Sequence, residues 1–188
     1  MTQKKTILVW DPLVRLFHWS LVVCVTSACV TGEGFLRLHV VTGCVVIGLI
    51  LFRLLWGVMG PHFALFRSFV SPPAEVLVYL QSVVIGHPTR YIGHNPAGGL
   101  MVVALLAVTV ATSLLGLVLY GVGEFSGPFA SWGLISGVQE LSLLKKIHGM
   151  LANGLLLLVA LHVMGVFLTG WQHRENLIKS MFTGSKTI

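Results

Sequence analysis

Charged residues are scarce in this sequence, and the scarcity limits the kind of protein it can encode. Only 10% of its 188 residues are charged, whereas 55% are hydrophobic. Soluble domains carry about 25% charged residues, so this chain cannot cover a globule with a polar surface. Its basic residues are too scattered for a nucleic-acid-binding patch, and no basic run alternates with aromatic residues. We therefore expect one integral membrane domain over 1–188 and no nucleic-acid partner.

The sequence also lacks a CxxC motif and a recognisable signal-peptide cleavage site. Cys24, Cys29 and Cys44 all lie in apolar runs and form no CxxC motif, so we interpret them as small buried hydrophobic residues. No small-residue cleavage site follows Lys4 and Lys5, so the first apolar run is predicted to be a retained membrane span rather than a cleaved signal.

Four apolar runs are long enough to cross a bilayer, which needs about 20 residues. They cover about 13–31, 38–59, 98–120 and 147–171. Asp11-Pro12 and Asn95-Pro96 each place a helix N-cap and a proline before such a run. The sequence thus predicts an all-α fold, an integral membrane four-helix bundle.

The basic residues favour one side of the membrane. With both termini in the cytoplasm, nine of them are cytoplasmic: Lys4, Lys5, Arg15, Arg53, Arg67, Arg90, Arg174, Lys179 and Lys186. Only Arg37, Lys145 and Lys146 lie on the opposite side. Because cytoplasmic loops are enriched in Lys and Arg, we expect both termini to be cytoplasmic.

Two connections between the spans have predicted structure of their own. Residues 73–85 are predicted to form an interfacial helix on the cytoplasmic face. Its apolar side contains Val76, Leu77, Leu80, Val83 and Val84. Residues 123–146 are predicted to form a long outer loop whose aromatic residues are Phe125, Phe129 and Trp132.

Four of the eight histidines lie in or at the edge of apolar runs, and their depths match in pairs. His148 and His162 are fourteen residues apart, which at about 100° per residue places them on one helix face, about 21 Å apart along the axis. His39 begins the second run at the level of His148, and His18 lies at the level of His162. A single membrane histidine often serves helix packing, but this arrangement predicts an outer pair, His39 with His148, and an inner pair, His18 with His162.

Two facing imidazoles suit a flat macrocycle better than a bare metal ion. Zinc and copper sites usually need three or four ligands, and no thiolate or carboxylate clearly completes either pair. Haem iron takes two axial ligands, and a porphyrin fits the apolar core of a helix bundle. With both axial positions filled, the expected chemistry is electron transfer. Because the sequence has no CxxCH motif for covalent attachment, we expect two haem b groups in the bundle core, with the four histidines as iron ligands.

Two arginines accompany the inner pair. Arg53 follows His39 by fourteen residues on the same helix face, and Arg15 lies one turn before His18. Each is predicted either to hold a propionate of the inner haem or to anchor its helix at the cytoplasmic surface; the sequence does not decide between these roles.

Further residues accompany the outer pair. Arg37, Lys145 and Lys146 suit outer propionates or an anionic partner. Small residues that would let a macrocycle approach the backbone are Gly43, Gly149 and Gly154.

Four segments resemble the bacterial cytochrome b561 family, to which hydrogenase-type cytochrome b subunits are related. They are VWDPLVRLFHWSL at 9–21, LHVVTGCVVIGLILFRLLWGVMGP at 38–61, RYIGHNPAGGLMV at 90–102 and IHGMLANGLLLLVALHV at 147–163. The resemblance implies a four-helix dihaem cytochrome of the bacterial inner membrane that exchanges electrons with quinone, and it implies the same four axial histidines. Hydrogenase-type subunits usually carry an additional helix, which argues against a dedicated hydrogenase anchor.

The expected function is therefore electron transfer between membrane quinone and a periplasmic partner, either a c-type cytochrome or superoxide. Whether the protein is itself an oxidoreductase, of the superoxide oxidase or quinol:cytochrome c type, is left open by the sequence. His94 with Asn95 is a candidate quinone site on the inner side, and the loop around Trp132 is one on the outer side.

A membrane metal-ion transporter or a structural membrane subunit using the same histidines is the alternative. Transport favours acidic residues within broken membrane helices. All six acidic residues lie outside the predicted spans: Asp11, Glu33, Glu75, Glu124, Glu140 and Glu175.

Overall fold

A computed structural model of the protein describes residues 6–32, 34–124, 126–130 and 138–187. The described residues form six α-helices: α1 Pro12–Thr31, α2 Leu36–Met59, α3 Pro73–Ile85, α4 Pro96–Gly123, α5 Val138–His173 and α6 Leu177–Thr183. Two short 3₁₀ turns, His62–Ala64 and Phe66–Ser68, connect α2 to α3. The prediction of an all-α fold with four long apolar helices is confirmed.

The helix starts follow from the predicted caps. The Asp11 carboxylate accepts the backbone N–H groups of Leu13 at 3.0 Å and Val14 at 3.2 Å. The Asn95 side chain likewise accepts the N–H of Gly98 at 2.7 Å. Each cap satisfies donors that the first helical turn leaves without a partner, so α1 and α4 begin at their prolines.

Four helices, α1, α2, α4 and α5, are long and apolar enough to cross a bilayer. Large apolar side chains along them are exposed on the protein surface, for example Val30 at 77% and Met59 at 78%. An apolar exterior of this extent suits a lipid environment, because water would disfavour it.

One predicted boundary is wrong. Helix α5 begins at Val138, so residues 138–146, predicted as part of the outer loop, are helical. The length of an apolar run indicates only the part of a helix that crosses the bilayer. Polar residues can continue the helix outside the bilayer, here Gln139, Glu140, Lys145 and Lys146. No glycine or proline interrupts 138–148. Phe125 and Trp132 lie outside the described residues, and Phe129 packs against α4 at Gly121.

Helix α3 has the predicted bounds, but the residues of its predicted apolar side differ in exposure: some are buried and others are exposed. Val76 and Tyr79 are buried against the protein, and the Gln172 side chain of α5 donates a hydrogen bond to the Val83 carbonyl at 3.2 Å. Leu77, Leu80 and Val84 are exposed instead. The outward stripe continues through Val78 and Ile85, so α3 presents apolar surface on a second side.

A small feature at the two ends of the chain escaped the sequence analysis. Strand β1, Thr6–Leu8, pairs antiparallel with strand β2, Ser185–Thr187, which follows α6. The N–H groups of Val9 and Trp10 both donate to the Gly184 carbonyl, at 2.8 and 3.0 Å. Gly184 has φ 83° there, a conformation that favours glycine. We call β1, β2 and α6 together the terminal clasp.

The chain divides into two compact units. The first contains Met1–His18, Arg53–Ala104 and Leu158–Ile188; the second contains Trp19–Phe52 and Leu105–Leu157. Each unit takes segments from all four long helices, so neither is a contiguous domain. One domain over 1–188 stays a prediction.

Candidate functional site

The predicted outer pair meets inside the second unit. The ring centroids of His39 on α2 and His148 on α5 are 6.0 Å apart, and their planes are inclined at 80°. His39 Nδ1 lies 2.9 Å from the Ala28 carbonyl oxygen of α1. Because a carbonyl oxygen only accepts, Nδ1 donates, and Nε2 keeps its lone pair for another partner.

A cavity of about 420 Å³ surrounds this pair within the second unit. It is lined by both histidines, by small or apolar side chains, including the predicted Gly43 and Gly149, and by the polar Tyr120 and Asn153. An added Cβ at either glycine would meet no atom of the described residues within 4 Å. The predicted Gly154 is not among the lining residues, although its Cβ position is also open.

Gly116 on α4 is a site residue that the sequence analysis missed. A Cβ at this position would lie 3.0 Å from Cε1 and 3.5 Å from Nδ1 of His148. The imidazole therefore packs directly on the α4 backbone. The only sequence signal was the glycine itself, and glycine is common in membrane helices.

The predicted inner pair lies in the first unit. His18 on α1 and His162 on α5 are both half-buried and close enough for their charges to interact. His94, which precedes α4, interacts electrostatically with both of them and with Arg53 and Lys186. These five residues thus form one neighbourhood.

The His94 ring is enclosed by aromatic side chains. Its centroid lies 4.8 Å from that of Trp10 and 4.6 Å from that of Phe69. Burial lowers the pKa of His94 to about 3, and the nearby charges of Arg53, His162, Lys186 and His18 act in the same direction. The imidazole is therefore neutral at physiological pH, and its buried Nδ1 has no hydrogen-bond partner among the described residues.

Arg53 is buried, with 3% of its surface exposed. Its guanidinium lies 4.7 Å from the centroid of the Phe66 ring and 5.9 Å from that of Phe69. The Asp11 carboxylate is close enough to interact with its charge. Nη1 of Arg53 is buried and makes no hydrogen bond within the described part of the chain. Such a group is costly unless a further partner is supplied.

Two glycines hold the Phe66–Phe69 segment against the helices. A Cβ on Gly57 of α2 would overlap the Phe66 ring, and one on Gly99 of α4 would overlap the Phe69 carbonyl. The aromatic residues beside Arg53 and His94 depend on these close approaches. Neither glycine was predicted as part of the site.

Arg15 is held by the terminal clasp. Its guanidinium donates to the Phe182 carbonyl, while its Nε is buried without a hydrogen bond in the described region. Trp10, whose ring lies against His94, donates its indole N–H to Ser180 Oγ of the clasp at 3.3 Å. This hydrogen bond connects the clasp to the surroundings of His94. Arg15 is thus fixed by contacts far away in sequence.

Glu175 ties the clasp to the loop before α4. It pairs with Arg90 and with Lys186, whose Nζ lies 3.4 Å from Glu175 Oε2. Burial raises the pKa of the Glu175 carboxyl, but Arg90 and Lys186 lower it further, so it stays below its ordinary value. The carboxylate is therefore ionised at neutral pH, and the buried Lys186 has a counter-charge.

Comparison with known proteins identifies the family. The profile of prokaryotic cytochrome b561 matches residues 9–184. The chain is 24% identical to a Cupriavidus necator protein named "Probable Ni/Fe-hydrogenase B-type cytochrome subunit", over 97% of this chain and 88% of that relative. No solved structure matches significantly. Since the profile spans nearly the whole chain, this protein belongs to the prokaryotic cytochrome b561 family and is a multi-pass membrane electron carrier that binds haem b.

Proposed function

We propose that the protein binds two haem b groups, each between two histidines, and carries electrons between membrane quinone and a periplasmic redox partner. His39 and His148 would ligate the outer haem iron, and His18 and His162 the inner one. A haem b held by two histidines would supply one-electron transfer. The observation that carries this proposal is the pairing of His39 and His148, whose ring centroids are 6.0 Å apart, in the lining of one cavity.

The outer site fits a haem iron. Two imidazoles that would hold one iron, at about 2 Å for each metal–nitrogen bond and about 1 Å from each nitrogen to its ring centre, have their ring centres about 6 Å apart. The ring centroids of His39 and His148 are 6.0 Å apart. Moreover, the Ala28 carbonyl orients His39 so that Nε2 is available, as an outer hydrogen bond does for metal-bound histidines.

The inner site offers cations for propionates. Arg53 Nη1 and Arg15 Nε are both buried and lack hydrogen bonds within the described residues. A helix anchor at the membrane surface would be exposed, whereas Arg53 is 3% exposed. We therefore assign both arginines to haem carboxylates of the inner site, the first of the two roles that the sequence left open.

The rival transporter finds less support. In the described part of the chain, no three His, Cys, Asp or Glu side chains converge as a metal cage requires. Two imidazoles at each site would suit haem iron better than a bare metal ion.

We propose the electron-exchange partners from the positions and charges of residues near the histidine pairs. Arg37, Lys145 and Lys146 are exposed and lie two or three residues before the outer ligands, so they suit an acidic c-type cytochrome or superoxide. The excess of basic residues on the other side favours cytoplasmic termini, and with that orientation we propose the bacterial inner membrane as the location. The neutral His94 beside Asn95 is the candidate for hydrogen bonding to quinone.

A hydrogenase is a second candidate partner. The relative from Cupriavidus necator is named as a Ni/Fe-hydrogenase cytochrome subunit, and the similarity covers 97% of this chain. Co-purification with a hydrogenase would favour that partner, whereas reduction of the purified protein by superoxide or by a c-type cytochrome would favour one of those.

The direct test is the haem content of the purified protein. We expect two haem b per chain by the pyridine haemochrome assay and full extraction into acid acetone, because no CxxCH motif allows covalent attachment. Electron paramagnetic resonance should show low-spin ferric iron only. One haem per chain, or a high-spin signal of comparable size, would contradict the two bis-histidine sites.

Replacing Gly116 by alanine tests the support of the outer ligand. The new Cβ would lie 3.0 Å from His148 Cε1, so the ring must shift. We expect about tenfold weaker retention of one haem, a loss of the size seen when groups that orient metal ligands are altered. Haem transfer to apomyoglobin measures this. Gly154→Ala, on the same helix as His148, is the matched control, because no atom in the described part of the chain lies within 4 Å of the added Cβ. Equal retention in both variants would contradict the assignment.

A further inference from the structure

The two units differ in buried charge. Among the described residues, Arg53 and Lys186 are the buried charged side chains, and both belong to the first unit. Lys186 is paired with Glu175. The buried polar side chains of the second unit, Thr31 and Thr109, are uncharged. Arg53 is therefore a fixed cation beside one histidine pair, and the described residues include no buried charge beside the other.

The charge of Arg53 is permanent and only partly compensated. A guanidinium stays protonated in proteins. The Phe66 and Phe69 rings stabilise it through their faces. Asp11 interacts with it as well, and Asp11 Oδ1 accepts hydrogen bonds from Leu13, Val14 and the Trp56 indole. In the described part of the chain Arg53 has no carboxylate within ion-pair distance, so the protein offsets its charge only through these weaker contacts.

That neighbourhood contains the inner histidine pair. His94 lies within range of the charges of Arg53, His162 and His18, and Phe69 lies against both His94 and Arg53. Charges interact more strongly in the apolar surroundings of this site than in water, because less solvent screens them.

We propose that Arg53 makes the His18/His162 site the more easily reduced of the two. This rests on the proposed function, in which each pair holds one haem b. Reduction of ferric to ferrous iron would add one electron and break no bond, and a nearby fixed cation favours the state with the additional negative charge.

Redox titration of the purified holoprotein tests the proposal. In Arg53→Gln, the reduction equilibrium of the higher-potential haem should become about tenfold less favourable, which is 59 mV for a one-electron couple. Arg53→Lys keeps the charge and should retain most of the potential. Arg67→Gln removes an exposed charge from the adjoining 3₁₀ turn and should leave both potentials unchanged. The same titrations in a His148→Ala background identify which haem has shifted.

Asp11→Asn provides a test of opposite sign. Asparagine is an equally good helix N-cap, so α1 keeps its start while the neighbouring negative charge is removed. The inner potential should rise. This variant decides the matter should Arg53→Gln lose its inner haem. A shift confined to the outer haem, or no rise in Asp11→Asn, would overturn the role of Arg53. A wild-type protein lacking two haem components would instead overturn the proposed function itself.

Discussion

Replacing His148 by alanine is expected to reduce the haem content from two per chain to one, and replacing His162 should do the same for the other haem. Each imidazole has its predicted partner within the same compact unit, His39 in one and His18 in the other. Removing one of two axial ligands should therefore empty one site and leave the second occupied. The α-band absorbance should fall by about half in each variant, as expected when one of two bis-histidine sites is lost.

The remaining haem identifies the site. Potentiometry on the two variants should give single, different potentials that together reproduce the wild-type titration. Imidazole added to His148→Gly should restore part of the lost haem, because it can occupy the space of the missing ring, whereas a purely structural histidine would not be replaced in this way. His87→Ala, at an exposed position after α3, is the control and should keep both haems. Loss of both haems from His148→Ala would contradict the pairing.

The helices and the outer pair could be predicted because their signals are local or periodic. Asp11 and Asn95 cap helices through residues two or three positions away. The fourteen-residue spacing of His148 and His162 fixes a shared helix face from backbone geometry alone. Because the second and fourth spans run in the same direction, His39 and His148, each near the start of its predicted span, fall at the same level, and the structure brings them together.

The features that were missed depend on contacts between distant parts of the chain. Gly57 and Gly99 are separated by 42 residues, yet both receive the Phe66–Phe69 segment, and neither has a distinctive local pattern. The terminal clasp pairs Thr6 with Thr187 through strands of three residues, too short for an alternating pattern to stand out. The start of α5 was missed for a different reason, since hydropathy marks where a helix enters lipid rather than where it begins.

Gly99→Ala should produce the largest loss of stability among the glycine substitutions considered. Alanine in a helix is ordinarily favoured over glycine by about 1 kcal/mol. At Gly99, however, the new methyl group would overlap the Phe69 carbonyl, a backbone atom that cannot rotate away. Either the first turn of α4 or the segment before α3 must move. Overpacking of this kind costs about 1–3 kcal/mol, and we expect the upper end of that range.

The loss should be visible in both stability and haem binding. For a chain of this size, about 3 kcal/mol corresponds to a fall of roughly 6–12 °C in the thermal midpoint, measured in detergent at one fixed scan rate. Phe69 lies against His94 and beside Arg53, so the inner haem should be released before the outer one. Gly165→Ala, in the part of α5 that belongs to the same unit, meets no described atom within 4 Å and should be neutral or slightly stabilising. If both variants melted together, the close approach of Phe69 to α4 would not be what holds the inner site in place.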